Sequence, residues 1–294
     1  MQFFLLQLIH FKIFKVLRRE FSCLYQLKHL NLSTNRINFI ENGSFSNLSF
    51  MTELNLGHNQ LNYLEDNIFV SLNSLSVLDL SFNKFETLNA STFNGLFSLK
   101  TLDLSYNIIR DVHPSAFSAL VNLEILDLMK NNLVLLNNNT FNNLVNLTRL
   151  DLSYNFLSSI NLSNKTKLTF LSLYLNNFSF FSQPLHSLIL LDLGYNPLKN
   201  LNYSLIESTD QQNPQLEVLY LDGCELSSIN ENVFQSIQKL KQLFIDNNQI
   251  YYFGISLFMN LNDLMMIQID SRILNQNELQ TTFSNITFQI SDNI

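Results

Sequence analysis

The fold is decided by the stretch Leu75-Ser-Val-Leu-Asp-Leu-Ser-Phe-Asn83, which the chain repeats with small changes along most of its length. Its general form is L-x-x-L-x-L-x-x-N, and most copies start 24 residues after the previous one. A fixed period of this size is typical of a solenoid, in which each repeat packs on its neighbours. The copies start at Leu27, Met51, Leu75, Leu99, Leu123, Leu147, Leu168, Leu188, Leu216 and Leu240, with a degraded copy at Leu264.

Each copy predicts a short strand followed by a turn. Leu78 and Leu80 are two residues apart, so their side chains point to the same face of a strand. Position nine is an asparagine, and an amide buried at a turn must bond with main-chain groups. An amphipathic helix would instead need apolar residues at i, i+3, i+4 and i+7. Stacked copies would align the amides in a ladder: Asn35, Asn59, Asn83, Asn107, Asn131, Asn155, Asn176, Asn196 and Asn248.

Phenylalanine recurs at position nineteen of the copies, beyond the turn. Its regular place predicts an aromatic spine beneath the outer, loop-rich side of the repeats. The members of this spine are Phe45, Phe69, Phe93, Phe117, Phe141, Phe234 and Phe258.

The spacing, the asparagine and the trailing x-L-x-x-L-x-x-x-x-F-x-x-L resemble the leucine-rich repeat family. The 24-residue length with Phe at position nineteen is similar to the typical subclass found in Toll-like receptor ectodomains and related cell-surface proteins. The resemblance covers at least residues 27–274. It implies an α/β, β-dominated leucine-rich repeat solenoid: a curved horseshoe with a parallel β-sheet on the concave side and short 3₁₀ or extended segments on the convex side.

Residues 27–263 form ten predicted repeats in one domain, irregular at 147–215. The copies from Leu147, Leu168 and Leu188 have 21, 20 and 28 residues and lack the phenylalanine at position nineteen. The longest contains the polar segment Glu207 to Gln215, which predicts a loop. Residues 264–294 are predicted as a degraded, uncapped terminal repeat, because Arg272 stands in the asparagine position and cannot be buried there unpaired. Extracellular relatives usually have cysteine-rich caps, so we interpret the chain as a piece of a longer protein or an incomplete gene model.

Two interpretations compete for residues 1–26. Counting back one period places Phe3, Leu6, Leu8, Val16 and Phe21 on repeat positions, which favours a degenerate N-terminal repeat. The alternative is a cleaved leader, but the basic residues follow the apolar run instead of preceding it. That run is too short to span a bilayer and no other run is longer, so no membrane span within this chain is predicted.

Charge and cysteine content narrow the classes of partner. The chain has 17 basic and 24 acidic residues and a formal net charge of -7, which gives binding along nucleic acid little electrostatic support. Its two cysteines, Cys23 and Cys224, lie many repeats apart, and Cys224 stands in an asparagine position as a small buried substitute. They therefore give no firm indication of redox compartment.

Glycosylation motifs favour an extracellular or cell-surface location, with the cytoplasm as the alternative. Several N-x-S/T motifs fall at position fifteen or sixteen, on the outer side, where a glycan would not block stacking. Asn31 lies on the inner face and is the least plausible acceptor. The candidate acceptors are Asn42, Asn89, Asn138, Asn161 and Asn202.

The inner face carries no recognisable catalytic or cofactor motif. Position five bears a stripe of aspartates, but the wording L-D-L-S-x-N resembles family consensus, which favours a solvated acidic stripe over a metal or acid–base site. His29 and His58 lie on neighbouring copies, yet no third zinc ligand is in phase with them. We predict no enzyme, no metal and no cofactor. The stripe comprises Asp79, Asp103, Asp127, Asp151 and Asp192.

Apolar and aromatic residues gather at inner positions of the later copies. Contiguous apolar surface of this kind usually marks a contact site. We therefore predict a non-catalytic recognition module, an extracellular receptor or adhesion-type ectodomain or a fragment of one, that binds a protein ligand or co-receptor. A lipid-like ligand and an intracellular scaffold or adaptor are the alternatives. The predicted contact residues are Phe170, Tyr174, Leu175, Leu190, Val218, Tyr220 and Phe244, with Ile189, Met265 and Met266 beside them.

Overall fold

A computed structural model describes residues 5–207 and 214–292, divided into two compact units, Met1–Asp151 and Leu152–Ile294. Phe3 and the centre of the polar segment between Glu207 and Gln215 therefore lie outside the described residues. Each unit is described by itself below.

The first unit is built from short parallel strands. They are β1 (Leu5–Gln7), β2 (Lys15–Val16), β3 (His29–Asn31), β4 (Phe39–Ile40), β5 (Glu53–Asn55), β6 (Val77–Asp79), β7 (Thr87–Leu88), β8 (Thr101–Asp103), β9 (Asp111–Val112), β10 (Ile125–Asp127) and β11 (Arg149–Asp151). The main sheet runs in the order β1-β3-β5-β6-β8-β10-β11. The two-residue strands pair separately, β2 with β4 and β7 with β9.

The second unit follows the same plan. It contains β12 (Phe170–Ser172), β13 (Leu190–Asp192), β14 (Asn200–Leu201), β15 (Val218–Tyr220), β16 (Ser228–Ile229), β17 (Gln242–Phe244), a 3₁₀ turn (Ile255–Leu257), β18 (Met266–Asp270), α1 (Gln276–Thr282) and β19 (Thr287–Ser291). Its main sheet runs β12-β13-β15-β17-β18-β19, and β14 pairs with β16. In both units, the parallel strands and short outer segments confirm the predicted β-dominated solenoid.

The leucines at positions four and six form the core and hold the strands in register. Leu54 pairs with Leu78, one repeat further on, and both are buried. In the second unit, Leu191 pairs with Leu171 and with Leu219, across repeats of 20 and 28 residues. Changes in repeat length are therefore absorbed by the outer segments and leave the sheet register intact.

Each position-nine asparagine joins two successive turns of the solenoid. The Nδ2 atom of Asn83 donates to the carbonyl oxygens of Leu56, Leu80 and Ser81 at 3.0–3.1 Å. Its Oδ1 atom accepts the backbone N–H of Leu61 at 3.0 Å. Asn35, Asn59, Asn107, Asn131, Asn176, Asn196 and Asn248 make equivalent bonds, and Asn155 donates to Leu152 and Ser153.

The phenylalanines of position nineteen stack along the first unit. Phe45 lies 6.5 Å from Phe21 and 6.3 Å from Phe69, between ring centroids, with nearly parallel planes. Phe117 lies 5.8 Å from Phe93 and 6.1 Å from Phe141. Since Phe21 precedes the first complete copy, residues 5–26 contribute both a strand and a ring to the same stack.

The end of the second unit replaces the asparagine ladder with other groups. The Arg272 side chain is exposed, donates to the Asn248 carbonyl oxygen, and lies 3.5 Å from Asp270 Oδ2. Asp270 is buried and accepts the backbone N–H groups of Asn247 and Asn248 at 2.9 and 3.2 Å. Beyond Arg272 the chain forms α1 and a further parallel strand, β19, which the sequence pattern did not predict.

Lys165 occupies position nineteen of the copy from Leu147, where other copies have phenylalanine. Its residue surface is 1% exposed, and its Nζ atom lies 2.5 Å from Asn164 Oδ1. Burial lowers the pKa of the Lys165 ammonium to about 8. A charged lysine in a position suited to an aromatic ring therefore destabilises the fold.

We expect Lys165→Met to stabilise the protein by at most about 3 kcal/mol at pH 7. Because the folded-state pKa lies below the unfolded-state value, the wild-type penalty is complete below about pH 8 and is lost as the pH rises towards 10.5. The gain from Lys165→Met should therefore shrink by more than half at pH 9.5, as measured by urea unfolding. Lys167→Met, which changes an exposed lysine, is the matched control. A gain that is absent or independent of pH would contradict a buried charge at Lys165.

Candidate functional site

The sheet face of the second unit presents the predicted contact residues because side chains alternate along each strand. In β15, Leu219 points into the core, while Val218 and Tyr220 are half-buried on the opposite face. Parallel register then aligns equal positions of neighbouring repeats. Leu190 pairs with Val218 and with Phe170, so these three form one row across β12, β13 and β15.

A second row holds the largest side chains of this face. Tyr220 pairs with Phe244 in the register, and their rings stack with centroids 4.2 Å apart and planes 10° apart. Tyr174 lies 5.3 Å from Tyr195 at a steep angle of 63°. Leu175, at the end of its strand, is exposed. We call the surface formed by these predicted contact residues the aromatic face: Phe170, Tyr174, Leu175, Leu190, Val218, Tyr220 and Phe244.

Position eight forms an edge row that sequence reasoning did not describe. His58, Phe82 and Tyr106 all have left-handed backbone angles, with φ between +51° and +53°. Each donates its N–H to a carbonyl oxygen of the next turn at 2.9 Å, which holds this uncommon conformation in place. Their rings stack at centroid distances of 4.1 Å, and Lys130 Nζ lies 4.8 Å from the Tyr106 ring centre. The recurrence of aromatic residues at position eight was the available signal.

The aspartates of position five stabilise the turn that follows each strand. Asp79, Asp103 and Asp127 each accept, through Oδ1, the backbone N–H two residues further on, at 2.8–2.9 Å. Burial raises the pKa of the Asp127 carboxyl to about 6, and the nearby carboxylates of Asp151 and Asp103 add to the rise. The stripe therefore has a structural role that requires no ligand.

The two histidines that the sequence placed on neighbouring copies face different groups. His29 Nδ1 lies 2.9 Å from Glu53 Oε2, beside a groove of about 360 Å³ over the first unit's sheet. His58 stacks on Phe82. Within residues 5–207 and 214–292, no group of three His, Cys, Asp or Glu side chains is placed to hold a metal ion.

Cys224 lies in an asparagine position of the ladder and is buried. Its Sγ atom donates to the Leu193 carbonyl oxygen at 3.2 Å, a bond that Nδ2 makes in other repeats. Burial raises the pKa of the Cys224 thiol to about 12, so the group is a neutral, weak donor.

Family models describe most of the chain. A leucine rich repeat model matches residues 25–85 and 73–133, and a model of the BspA type leucine rich repeat region, with 6 copies, matches residues 198–293. The chain belongs to the leucine-rich repeat family. No curated protein matches it.

Solved leucine-rich repeat structures resemble the chain over nearly its whole length. TLR13, solved in a complex with ssRNA13, is 29% identical with a TM-score of 0.82, covering 98% of this chain and 43% of TLR13. The Toll chain of the Drosophila Toll–Spatzle complex is 22% identical with a TM-score of 0.76, covering 94% and 38%. The Leptospira interrogans protein LIC12759 is 23% identical with a TM-score of 0.74, covering 94% and 75%. This chain thus spans less than half the length of TLR13 or Toll.

These neighbours confirm the resemblance to Toll-like receptor ectodomains, and the leucine-rich repeat fold indicates a protein–protein interaction module. TLR13 was solved with RNA and Toll with Spatzle, so the fold accommodates both classes of partner. The absence of a nucleic-acid partner for this chain accordingly stays a prediction. Among the described residues, no helix has the length and apolar character needed to cross a membrane.

The candidate acceptors for glycans lie on the outer segments of the leucine-rich repeats. Asn42, Asn89, Asn138 and Asn202 are exposed, and Asn161 is half-buried. By contrast, Asn31 lies in β3 on the sheet face and accepts the Ser33 N–H through its own Oδ1 at 2.9 Å. The first four are accessible to a modifying enzyme, whereas Asn31 has a structural bond to lose.

We expect Asp127→Asn to stabilise the protein by about 1–2 kcal/mol at pH 7, because an amide avoids the cost of burying charge. Asn55 already fills this position in another repeat and accepts the Gly57 N–H at 2.9 Å. Since the folded-state pKa of Asp127 is raised, the wild type should lose stability relative to the variant as the pH rises from about 4 to about 6. Urea unfolding across this range measures it, with the exposed Asp66→Asn as control. A destabilised variant would show that the carboxylate itself is required.

Proposed function

We propose that this chain is part of an extracellular receptor or adhesion-type ectodomain that binds a protein through the aromatic face. The observation that carries the proposal is the continuous row of half-buried and exposed apolar side chains at equal positions of β12, β13, β15 and β17. Large side chains such as Tyr220 and Phe244 are typical of the residues that contribute most to protein interfaces.

The stacked pair at the centre of the aromatic face suits a preformed contact. Tyr220 and Phe244 already hold each other in place, so little side-chain freedom is lost when a partner binds. The backbone beneath them belongs to paired strands whose register is fixed by buried leucines. Such a face acts by contact and needs no chemical step.

The extracellular assignment is supported by the exposed outer acceptors and by the resemblance to TLR13 and Toll. An intracellular scaffold or adaptor would use the same face without glycans. The two proposals therefore differ in a modification that can be measured.

We expect Asn89 and Asn138 to carry N-glycans in the protein isolated from its source cells. Treatment with peptide N-glycosidase in heavy-oxygen water would convert each glycosylated asparagine to labelled aspartate, which mass spectrometry detects. Asn31, on the sheet face, should stay unlabelled and is the internal control. Recovery of both peptides without label would favour the intracellular scaffold.

We expect a photo-crosslinking residue at position 218 to capture one protein partner at the surface of the source cells. The double variant Tyr220→Ala, Phe244→Ala should weaken that capture by about tenfold or more, because both anchors lose their contact area. A crosslinker at position 252, on an exposed tyrosine away from the sheet, is the control. Equal capture from positions 218 and 252, or capture unaffected by the double variant in a folded protein, would exclude this face.

A further inference from the structure

Two glycines beside the aromatic face allow charged and aromatic groups to converge on the backbone. A Cβ atom on Gly194 would lie 2.8 Å from Asp222 Oδ1, 3.0 Å from the Tyr174 ring and 3.3 Å from Asp192 Oδ1. A Cβ atom on Gly223 would lie 2.8 Å from the Tyr195 ring. Because such approaches are too short for real side chains, the groups can meet there only over glycine.

The converging groups carry negative charge that no neighbouring basic residue balances. Positions three, five, seven and eight of the copies from Leu168, Leu188, Leu216 and Leu240 contain three aspartates and neither lysine nor arginine. Burial raises the pKa of the Asp222 carboxyl to about 6, and the Asp246 carboxylate adds to the rise. Lys241 lies at position two and is paired with Glu217 at 2.9 Å. A cation from outside would stabilise these carboxylates.

Asp246 supplies an independent indication that a donor is missing. The residue is 3% exposed, and its Oδ2 atom accepts the Asn247 side-chain N–H at 2.9 Å. Its Oδ1 atom is equally buried and has no hydrogen-bond partner in the part of the chain that the structure describes. Asp246 acts electrostatically on both Asp222 and Tyr195, so its carboxylate faces the same cluster. A buried acceptor without a donor is costly unless a ligand provides one.

We propose that this cluster binds an arginine side chain of the protein partner. We call it the tyrosine–carboxylate site, formed by Tyr174, Asp192, Tyr195, Asp222 and Asp246. A guanidinium group is planar, so it can lie against a tyrosine ring while its N–H groups donate to carboxylates. A phosphate backbone would be repelled by the same charges, which favours a basic protein segment over RNA.

The inference rests on the proposed function, because it names the chemistry by which a partner on the aromatic face would be recognised. Tyr174 belongs to both surfaces, and Tyr220 lies two residues before Asp222. An apolar segment held on the aromatic face would therefore place an adjoining arginine at the tyrosine–carboxylate site.

The direct test uses the whole chain and a small probe. Acetyl-Gly-Arg-Gly-amide is titrated against the ¹⁵N-labelled protein and compared with the same peptide containing citrulline, which keeps the shape and lacks the charge. We expect saturable shifts of the Gly194 and Gly223 amide signals with the arginine peptide, and binding about tenfold weaker with citrulline. Gly57 is the matched control, since it also lies at position seven against an aspartate, Asp79, at 2.9 Å, but without tyrosines.

Two variants separate the site from a general charge effect. Asp222→Asn should weaken arginine binding by about tenfold, whereas Asp127→Asn, on the first unit's stripe, should leave it unchanged. Gly194→Ser should also weaken binding, because its side chain enters the space where Asp222 and Tyr174 converge. Serine is already the position-seven residue at Ser81, Ser105 and Ser153, so this variant should fold, as circular dichroism would check.

Equal binding of the arginine and citrulline peptides, or binding that survives both variants, would overturn the inference. Oligouridylate RNA that shifts Gly194 while the arginine peptide does not would also overturn it, in favour of a nucleic-acid partner. The proposed function fails separately: crosslinking at position 218 can fail while the arginine peptide binds. If crosslinking succeeds and the arginine peptide does not bind, only the tyrosine–carboxylate site is wrong.

Discussion

Both units depend on the amide that closes each turn onto the one before it. Asn83 illustrates the constraint: one side chain satisfies three carbonyl oxygens and one N–H, drawn from two successive turns. These backbone groups are buried and turn away from the sheet, so no strand partner is available to them. The leucines supply the apolar interior, but the amide fixes how far one turn lies from the next. The sheet face inherits its regular spacing from this bond.

The repeated residues allowed much of the fold to be predicted. Buried leucines at positions four and six fixed the strands, their parallel direction and their register, because only one stacking aligns them all. The copies with 20 and 28 residues kept that register, since their extra or missing residues lie outside the sheet. The aromatic face could also be predicted, because Phe170, Leu190 and Val218 occupy equal positions in successive copies.

The features that sequence reasoning missed depend on exceptions to the repeat. A lysine at position nineteen gives no sign from its identity that Lys165 is buried, because the shortened outer segment encloses it. The strand β19 follows a helix and a 21-residue spacing that break the pattern. Asp246 resembles an ordinary solvated aspartate in the sequence, and its unpartnered oxygen follows from how neighbouring turns cover it. Each case arises from packing between repeats, which a single copy does not encode.

The sheet face of the second unit combines two kinds of surface at close range. The aromatic face offers apolar contact area, and the tyrosine–carboxylate site beside it offers charge. Apolar area supports affinity, while a charged group in a fixed place discriminates between partners. The first unit has the same backbone and a similar stripe of aspartates, yet its carboxylates bond their own turns and its rings stack at the edge. Similar repeats can therefore carry different surfaces without a change of fold.

The left-handed residue at position eight has a consequence for how such surfaces diversify. Its backbone is held by an N–H bond to the adjacent turn, so the conformation does not depend on which side chain it bears. Threonine, histidine, phenylalanine, tyrosine, lysine, leucine and asparagine all occupy this position here with φ between +51° and +57°. The row thus behaves as a set of interchangeable sockets, in which new specificities can be assembled one residue at a time while the scaffold stays the same.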